Sequence, residues 1–159
     1  MESELGRGSS FFIYLPASSP QDQRKMGKVS FAKGRRILIM DDEKGVCNIL
    51  EKMLKSMSYE VEVTTNGTEA VEIYKQAQES GRRFDAVILD LTIPGGIGGK
   101  ETVRKLLEIN PKIKAIVSSG YSNDPIISDF KNYGFSGVIA KPFCMNDLKD
   151  VLWRVIKQD

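Results

Sequence analysis

Short apolar runs alternate with longer amphipathic stretches from residue 36 to the end of the chain. The clearest run is Ala86-Val87-Ile88-Leu89, four apolar residues in a row, followed by Asp90. Such a run is typical of a strand buried on both faces, as in a parallel sheet. Four further segments predict strands, and they lie at residues 37–40, 59–64, 113–118 and 137–140.

The stretches between these strands have the periodicity of helices. Apolar residues recur at intervals of three and four within residues 46–57, 70–77, 103–107 and 148–156, which is the spacing of a helix with one buried face. A shorter helix should begin near Ser122 or Asn123, with Pro125 in its first turn, and end by Gly134. Strands that alternate with helices predict an α/β fold, a doubly wound parallel sheet of five strands.

Residues 1–35 do not continue this pattern. The run Phe11–Leu15 is strand-like but is stopped by Pro16, and the polar, basic stretch that follows has the composition of a linker. We therefore expect an N-terminal tail and linker at residues 1–35 and the α/β domain at residues 36–159.

Composition narrows the class of protein. The 159 residues are 41% hydrophobic and 28% charged, and 23 basic and 21 acidic residues are mixed along the chain, so neither nucleic acid nor a membrane surface is an expected partner. No apolar run approaches the ~20 residues of a membrane helix, and no signal peptide is apparent. Cys47 and Cys144 fit no metal spacing, which favours a reducing, cytoplasmic location.

Histidine is absent from the sequence. This excludes histidine-based triads, histidine metal sites and histidine general bases within the chain. It also means that no histidine of this chain can donate a phosphoryl group.

Polar residues follow four of the five predicted strands. They are Asp41 and Asp42 after the first, Asp90 at the end of the third, Ser119 after the fourth and Lys141 after the fifth. Because the carboxyl ends of parallel strands share one edge of a sheet, these side chains can converge there. Clustered carboxylates repel one another unless a cation lies between them, and Mg²⁺ prefers such oxygen ligands.

This set of groups suits phosphoryl transfer. A carboxylate such as Asp90 can form an acyl phosphate. The charge that spreads over the phosphoryl oxygens in the transition state needs a metal, an ammonium group such as Lys141 and a hydroxyl group such as Ser119.

Each residue also has a purely structural explanation. Asp41 and Asp42 could cap the first helix, Ser119 could belong to an ordinary turn, and Lys141 could be a solvated strand end. Two functional alternatives also stand. One is a phosphatase with an aspartate nucleophile. Phosphatases of the dehalogenase type carry an Asp-x-Asp motif on the first strand, whereas Asp90 ends the third. The other is a domain that only docks to partners.

Residues from about Arg36 to Lys157 resemble a receiver domain of the two-component response regulators, the family of chemotaxis-regulator-like proteins. The resemblance rests on four motifs in register: the Asp41-Asp42 pair, Asp90 with Pro94 four residues on, Ser119-Gly120, and Lys141-Pro142-Phe143. It implies a flavodoxin-like (βα)₅ fold with strand order 2-1-3-4-5.

The resemblance also implies roles for these residues. Asp90 is then the phosphoacceptor, Asp42 binds Mg²⁺ directly, Asp41 assists, and the main-chain carbonyl of Thr92 adds a metal ligand. The Lys141 ammonium contacts the phosphoryl oxygens, and its bond to Pro142 is expected to be cis.

For the switch, the resemblance implies that the phosphoryl group draws in Ser119 and moves the loop after strand four. One departure affects this expectation, because the family commonly has an aromatic residue where this sequence has Val138. Tyr121 or Phe135 could substitute for it, or the switch could be weaker. The implied phosphodonor is a histidine kinase or histidine phosphotransfer domain, and a homodimer is possible.

The tail carries a second resemblance. Residues 5–16 are similar to the closing segment of the ATP-binding domain of sensor histidine kinases, in which a Gly-x-Gly-Thr/Ser turn precedes a final strand ending in Leu-Pro. This implies a remnant, unable to bind ATP, of a hybrid histidine kinase whose receiver is this domain. A stand-alone response regulator is the alternative, and the chain itself has no kinase catalytic core.

Overall fold

The computed structural model describes residues 2–4, 8–10, 34–120 and 125–156. The chain divides into two units, residues 1–30 and residues 31–159. In the first unit, strands β1 (Glu2–Glu4) and β2 (Gly8–Ser10) form an antiparallel pair. The expected strand at Phe11–Leu15 lies outside the described residues, and a domain boundary at residue 35 stays a prediction.

The second unit alternates strands and helices as the apolar pattern predicts. Its elements are β3 (Arg36–Met40), α1 (Lys44–Ser56), β4 (Glu60–Thr64), α2 (Gly67–Glu79), β5 (Ala86–Asp90), α3 (Gly99–Ile109), β6 (Ala115–Ser119), α4 (Pro125–Ser128), a 3-10 helix (Phe130–Tyr133), β7 (Gly137–Ala140) and α5 (Met145–Ile156). Among the described residues, none of the helices combines the length and the apolar character needed to cross a bilayer.

All five strands of this unit pair in parallel, in the order β4-β3-β5-β6-β7. Counted from Arg36, this is the order 2-1-3-4-5, so the predicted fold is confirmed. The order changes direction at β3, and the first strand pairs with both β4 and β5. In open α/β sheets the crevice beside such a reversal, at the carboxyl ends of the strands, is where ligands bind.

Apolar side chains pack on both faces of the sheet, which explains the uninterrupted apolar strands. Alternate residues of β3 and β5 enter different core clusters: Ile37, Ile39 and Ile88 pack with α1 and α5, and Leu38, Met40, Val87 and Leu89 pack with α2 and α3. Every residue of β5 is buried. The core therefore holds the ends of β3 and β5 in fixed register, with Met40 beside Leu89.

Two strands begin later than predicted. In both cases the backbone N–H of the first predicted residue donates to a carbonyl outside the sheet. Tyr59 donates its N–H to the carbonyl of Leu54 (3.1 Å), which closes the end of α1, so β4 begins at Glu60. Ile113 donates to the carbonyl of Asn110 (3.1 Å) in the turn after α3, and β6 begins at Ala115. Both side chains are nevertheless buried.

The short helix expected before Gly134 is divided in two. The α4 helix has one turn and ends at Ser128, and Asp129 has non-helical backbone angles (φ −129°, ψ 35°) before the 3-10 helix begins. The Asp129 carboxylate then accepts a hydrogen bond from the Asn132 side chain (2.7 Å). The expected starting points, Ser122 and Asn123, lie outside the described residues.

Candidate functional site

The ends of β3, β5, β6 and β7 bring four polar residues to one edge of the sheet. Met40 and Leu89 are neighbours in register, so Asp41 and Asp90 follow side by side. Asp90 is in turn paired with Ser118 on β6. Lys141 follows β7 and donates its backbone N–H to the carbonyl of Ser119 (2.8 Å).

The two oxygens of the Asp41 carboxylate have different surroundings. Oδ1 accepts a hydrogen bond from the backbone N–H of Glu43 (2.9 Å), just before α1 begins. Oδ2 is buried and lies 2.8 Å from the Lys141 Nζ, although the orientation is not that of a hydrogen bond and no other described group donates to it. The helix-capping explanation therefore accounts for one oxygen of Asp41 and not for the other.

The Lys141 ammonium lies between two strand-end carboxylates. Its Nζ is 2.8 Å from Asp41 Oδ2 and 2.9 Å from Asp90 Oδ1, with the Glu43 carboxylate farther away at 3.7 Å. Burial alone would lower the pKa of Lys141, but the contacts with Asp41 and Asp90 outweigh it, and the pKa is raised. The lysine is therefore held in its charged form, and its bond to Pro142 is cis, as the resemblance implied.

Asp90 is a buried acid of the cleft lining, with 8% of its surface exposed, and the neighbouring Asp41 is 1% exposed. Burial raises its pKa, the hydrogen bond and charge of Lys141 oppose that change, and the charges of Asp41 and Asp42 add to it. The net shift of the Asp90 pKa is upward. The charged form of Asp90 is therefore less stable in this cleft than in water.

Five of the six predicted site residues line one cleft, and Asp41 is not part of that lining. The cleft has a volume of ≈ 570 Å³, and its lining includes Asp42, Asp90, Thr92, Ser119 and Lys141. Asp42 and Thr92 are exposed, whereas Ser119 is buried, with 4% of its surface exposed. The cleft lining thus combines exposed residues with a buried hydroxyl group and a half-buried lysine.

The acids are close enough to share a metal ion. One carboxylate oxygen each from Asp41, Asp42 and Asp90 lies within 4.8 Å of the others. Three carboxylates and one ammonium group leave two net negative charges, and Asp41 Oδ2 is a buried acceptor without a hydrogen-bond donor among the described residues. An all-oxygen ligand set with this charge fits a hard divalent cation.

Three contributors to the site were not found from the sequence. Glu43 lines the cleft. The sequence does indicate it, because Glu43 is the third of three consecutive acids. Cys47, 5% exposed, donates its Sγ–H to the main-chain carbonyl of Asp41 (3.2 Å). Ser118 is 1% exposed and lies beside Asp90, which only the strand register reveals.

The position of the expected aromatic switch residue is occupied by a packed aliphatic side chain. Val138 is half-buried against the core cluster on the α2 and α3 side of the sheet, and Phe135 is 3% exposed within the same cluster. Phe135 is therefore a core residue in this structure. Tyr121, the other candidate, lies outside the described residues.

Together, the doubly wound sheet and its acidic cleft define an α/β domain that could bind a metal ion beside an enclosed aspartate. Residues 37–152 match the response regulator receiver domain. The chain belongs to this family and is a receiver domain of two-component systems.

Individual relatives include both kinases and small regulators. The chain is 29% identical to the sensor kinase CckA of Brucella abortus, over 99% of this chain but only 18% of that protein. It is 31% identical to the chemotaxis protein CheY of Thermotoga maritima, over 78% of this chain and 99% of that protein.

A solved structure with the same fold is the receiver domain of a sensor histidine kinase from Pseudomonas aeruginosa PAO1. It superposes with a TM-score of 0.69 at 23% identity and covers 80% of this chain and 100% of that chain. A magnesium ion is coordinated in the active site cleft of that protein.

Proposed function

We propose that this receiver domain accepts a phosphoryl group from a phosphohistidine onto Asp90, in a reaction that requires Mg²⁺. The observation that carries this proposal is the pairing of an enclosed Asp90 with Lys141 (2.9 Å) in a cleft that also holds two further acids.

Asp90 acts as the nucleophile. Lys141 contacts Oδ1, so the other carboxylate oxygen attacks phosphorus, and the bond between phosphorus and the donor nitrogen breaks. The Lys141 ammonium then moves from Asp90 to the negatively charged phosphoryl oxygens. The Ser119 hydroxyl group contacts the same oxygens. An ammonium group held within a partly enclosed site stabilises the charge of the phosphoryl oxygens better than water does.

Asp41, Asp42 and Asp90 would hold Mg²⁺, which would offset their negative charge and that of the incoming phosphoryl group. Asp42, the exposed member of the cluster, and Asp90 would bind it directly, and Asp41 would assist. The main-chain carbonyl of Thr92, a residue of the cleft lining, would complete the protein ligands. The bound ion supplies charge stabilisation for the phosphoryl oxygens.

The phosphodonor lies outside this sequence, because the 159 residues contain no histidine. A histidine kinase or a histidine phosphotransfer domain is the partner of this chemistry. Phosphorylation would draw Ser119 toward the phosphoryl group and change the surface near the end of β6, which is the signalling output. Two free cysteines within this chain suit a reducing cytoplasm.

A hybrid histidine kinase is the context that we propose for the domain. The match to the Brucella sensor kinase extends over 99% of the chain and so includes the tail that resembles a kinase remnant. The match to the Thermotoga chemotaxis protein supports the second candidate, a stand-alone response regulator. Phosphorylation of Asp90 is common to both.

Uptake of label from a small phosphodonor tests the proposal. The full chain is incubated with acetyl phosphate and either Mg²⁺ or EDTA, and phosphorylation is measured by intact mass and by phosphate-affinity gel. We expect one phosphoryl group in Mg²⁺, none in EDTA and none in Asp90→Asn. Asp150→Asn, an exposed aspartate on α5, is the matched control and should label fully. Equal labelling of the Asp90→Asn variant would falsify the assignment, whereas no labelling of the parent would favour a domain that only docks to partners.

A further inference from the structure

Ser118 carries a buried hydroxyl group that has no hydrogen-bond partner within the part of the chain that the structure describes. The residue is 1% exposed, and no described group pairs with its Oγ atom. Buried polar groups in native proteins are nearly always paired, and the exceptions are often catalytic or strained groups. The family motif that points to Ser119 does not involve this neighbouring residue.

The sheet places this hydroxyl group on the same face as the phosphoacceptor. Asp90 and Ser118 are partners in the register of β5 and β6. Two residues earlier on each strand, Ile88 and Ile116 both enter the core cluster beneath α1 and α5. Because side chains in a strand alternate between faces, Asp90 and Ser118 point to that same side, on strands about 4.8 Å apart.

Lys141 is the side-chain donor to Asp90 among the residues that the structure describes. The ammonium occupies Asp90 Oδ1 at 2.9 Å. In the proposed reaction, which this inference rests on, the ammonium moves onto the phosphoryl group. The Asp90 oxygen that Lys141 leaves would then keep only the Mg²⁺ contact proposed above, and Ser118, the adjacent residue in register, can add a hydroxyl donor to it.

We propose that Ser118 is the second hydrogen-bond donor to Asp90 and acts when the phosphoryl group is lost. In that step water attacks phosphorus, the bond between phosphorus and the Asp90 oxygen breaks, and its electron pair returns to the carboxylate. Inorganic phosphate leaves, and the proton of the attacking water goes to phosphate or solvent. The carboxyl group gains negative charge, and a hydroxyl donor binds the charged form about twice as strongly as the neutral one.

A purely structural role for Ser118 predicts different results. If Ser118 only occupied space, its replacement by alanine would leave the chemistry unchanged. If it were needed for folding, the same change would lower stability and disturb every property together. A donor reserved for the reaction predicts slower phosphoryl loss without any loss of stability, because the variant lacks the unpaired hydroxyl group.

The test compares the full chain with its Ser118→Ala variant. Both are phosphorylated with acetyl phosphate and Mg²⁺, the donor is removed, and the loss of the phosphoryl group is followed by intact mass. We expect loss to be slower by about three- to tenfold in Ser118→Ala, the effect of one hydrogen bond to a developing charge. The variant should unfold at the same temperature as the parent or at a higher one. The carbonyl stretch of its acyl phosphate should move to higher frequency, since that oxygen has lost a donor.

Thr64→Val is the matched control, since Thr64 has a buried hydroxyl group that does have a partner, the carbonyl of Ile39 (3.2 Å). It should lose stability but keep the parent's rate of phosphoryl loss. A parent-like rate in Ser118→Ala overturns the inference, and so does slower loss accompanied by a lower unfolding temperature. Failure of the parent to label at Asp90 would instead contradict the proposed function itself.

Discussion

Lys141 supplies the positive charge between the strand-end acids. Its ammonium contacts Asp41 at 2.8 Å and Asp90 at 2.9 Å, and the side chains of these acids are only 2% and 10% exposed. Two enclosed carboxylates so close together are unfavourable unless a positive charge lies between them. The same lysine can therefore stabilise the domain without a metal ion, and in the proposed reaction it would contact the phosphoryl group.

Removal of this charge should destabilise the metal-free protein. In Lys141→Met, measured by urea unfolding at pH 7 with EDTA, we expect a loss of roughly 3 kcal/mol, the usual effect of breaking an enclosed ion pair. Because the folded-state pKa of Lys141 is raised, this contribution is fully present at pH 7. It is lost only as the pH rises through that raised value, above the ordinary ~10.4.

Lys55→Met is the control for that measurement. The Lys55 ammonium also has a close partner, Glu51 at 2.7 Å one turn earlier in α1, but the lysine side chain is 59% exposed. An exposed pair of this kind contributes about 0.3–0.5 kcal/mol. Equal losses in the two variants would show that the cleft pair has no special role.

Cys47 should be an unreactive thiol despite its closeness to the site. Burial raises the pKa of the Cys47 thiol to about 11, and the carboxylate of Asp41 adds to the shift. At pH 8 only about one thiol in a thousand is then ionised. In Cys144→Ser, which leaves one thiol, labelling by iodoacetamide should be at least about 100-fold slower than in Cys47→Ser, which keeps the exposed Cys144. Comparable rates at pH 8 would contradict this environment.

The strands and most helices could be predicted because their apolar patterns are strong and agree with one another. A run such as Ala86–Leu89 has one favourable arrangement, a strand buried on both faces, and the predicted β5 is the observed one. The acids and Lys141 could be predicted because parallel strands end at one edge. Each of these features follows from local pattern and topology.

What could not be predicted depends on partners that are distant in sequence. The late starts of β4 and β6 result from backbone N–H groups that close turns elsewhere, and the break at Asp129 has no sequence signal that we recognise. The pairing of Ser118 with Asp90 depends on strand register, which a sequence pattern does not fix across a parallel crossover. The antiparallel pair of β1 and β2 was also not anticipated, since its residues lack an apolar alternation.

The start of α2 packs against the loop that follows Asp90 through a glycine. A Cβ atom at Gly67 would lie 2.0 Å from Thr102 Oγ1 and 2.7 Å from the carbonyl oxygen of Ile97. We expect Gly67→Ala to lower the free energy of unfolding by about 2 kcal/mol, the usual effect of overpacking. Chemical denaturation measures this directly, and labelling at Asp90 reports whether the loop has moved.

Gly45 in α1 is the matched control for that substitution. A Cβ atom at Gly45 would meet nothing within 4 Å. Gly45→Ala should therefore stabilise the domain by about 0.5–1 kcal/mol through helix propensity alone. If both alanine variants stabilise the protein, the start of α2 is not packed against the loop as described.

At the level of the whole domain, binding of a divalent ion is coupled to folding. The ligand oxygens of Asp41, Asp42 and Asp90 come from two strand ends and lie within 4.8 Å of one another only in the folded sheet. An ion that binds the folded state alone stabilises it by RT ln(1 + [L]/Kd), about 2.7 kcal/mol at 100 times Kd. The entire second unit should therefore melt at a higher temperature in Mg²⁺.

Variants of Asp42 and Glu43 can show whether this coupling comes from the cluster of three aspartates or from general charge screening. Both are exposed acids at the start of α1, but only Asp42 belongs to the group that can share an ion. In thermal unfolding with excess Mg²⁺ or with EDTA, we expect the parent and Glu43→Gln to show an increase of several degrees in Mg²⁺. Asp42→Asn should show almost none, while its stability in EDTA stays within about 0.5 kcal/mol of the parent, as for most surface substitutions. An equal Mg²⁺ response in all three proteins would place the ion elsewhere. An equal reduction in both variants would point to general charge screening, because each variant loses one exposed charge.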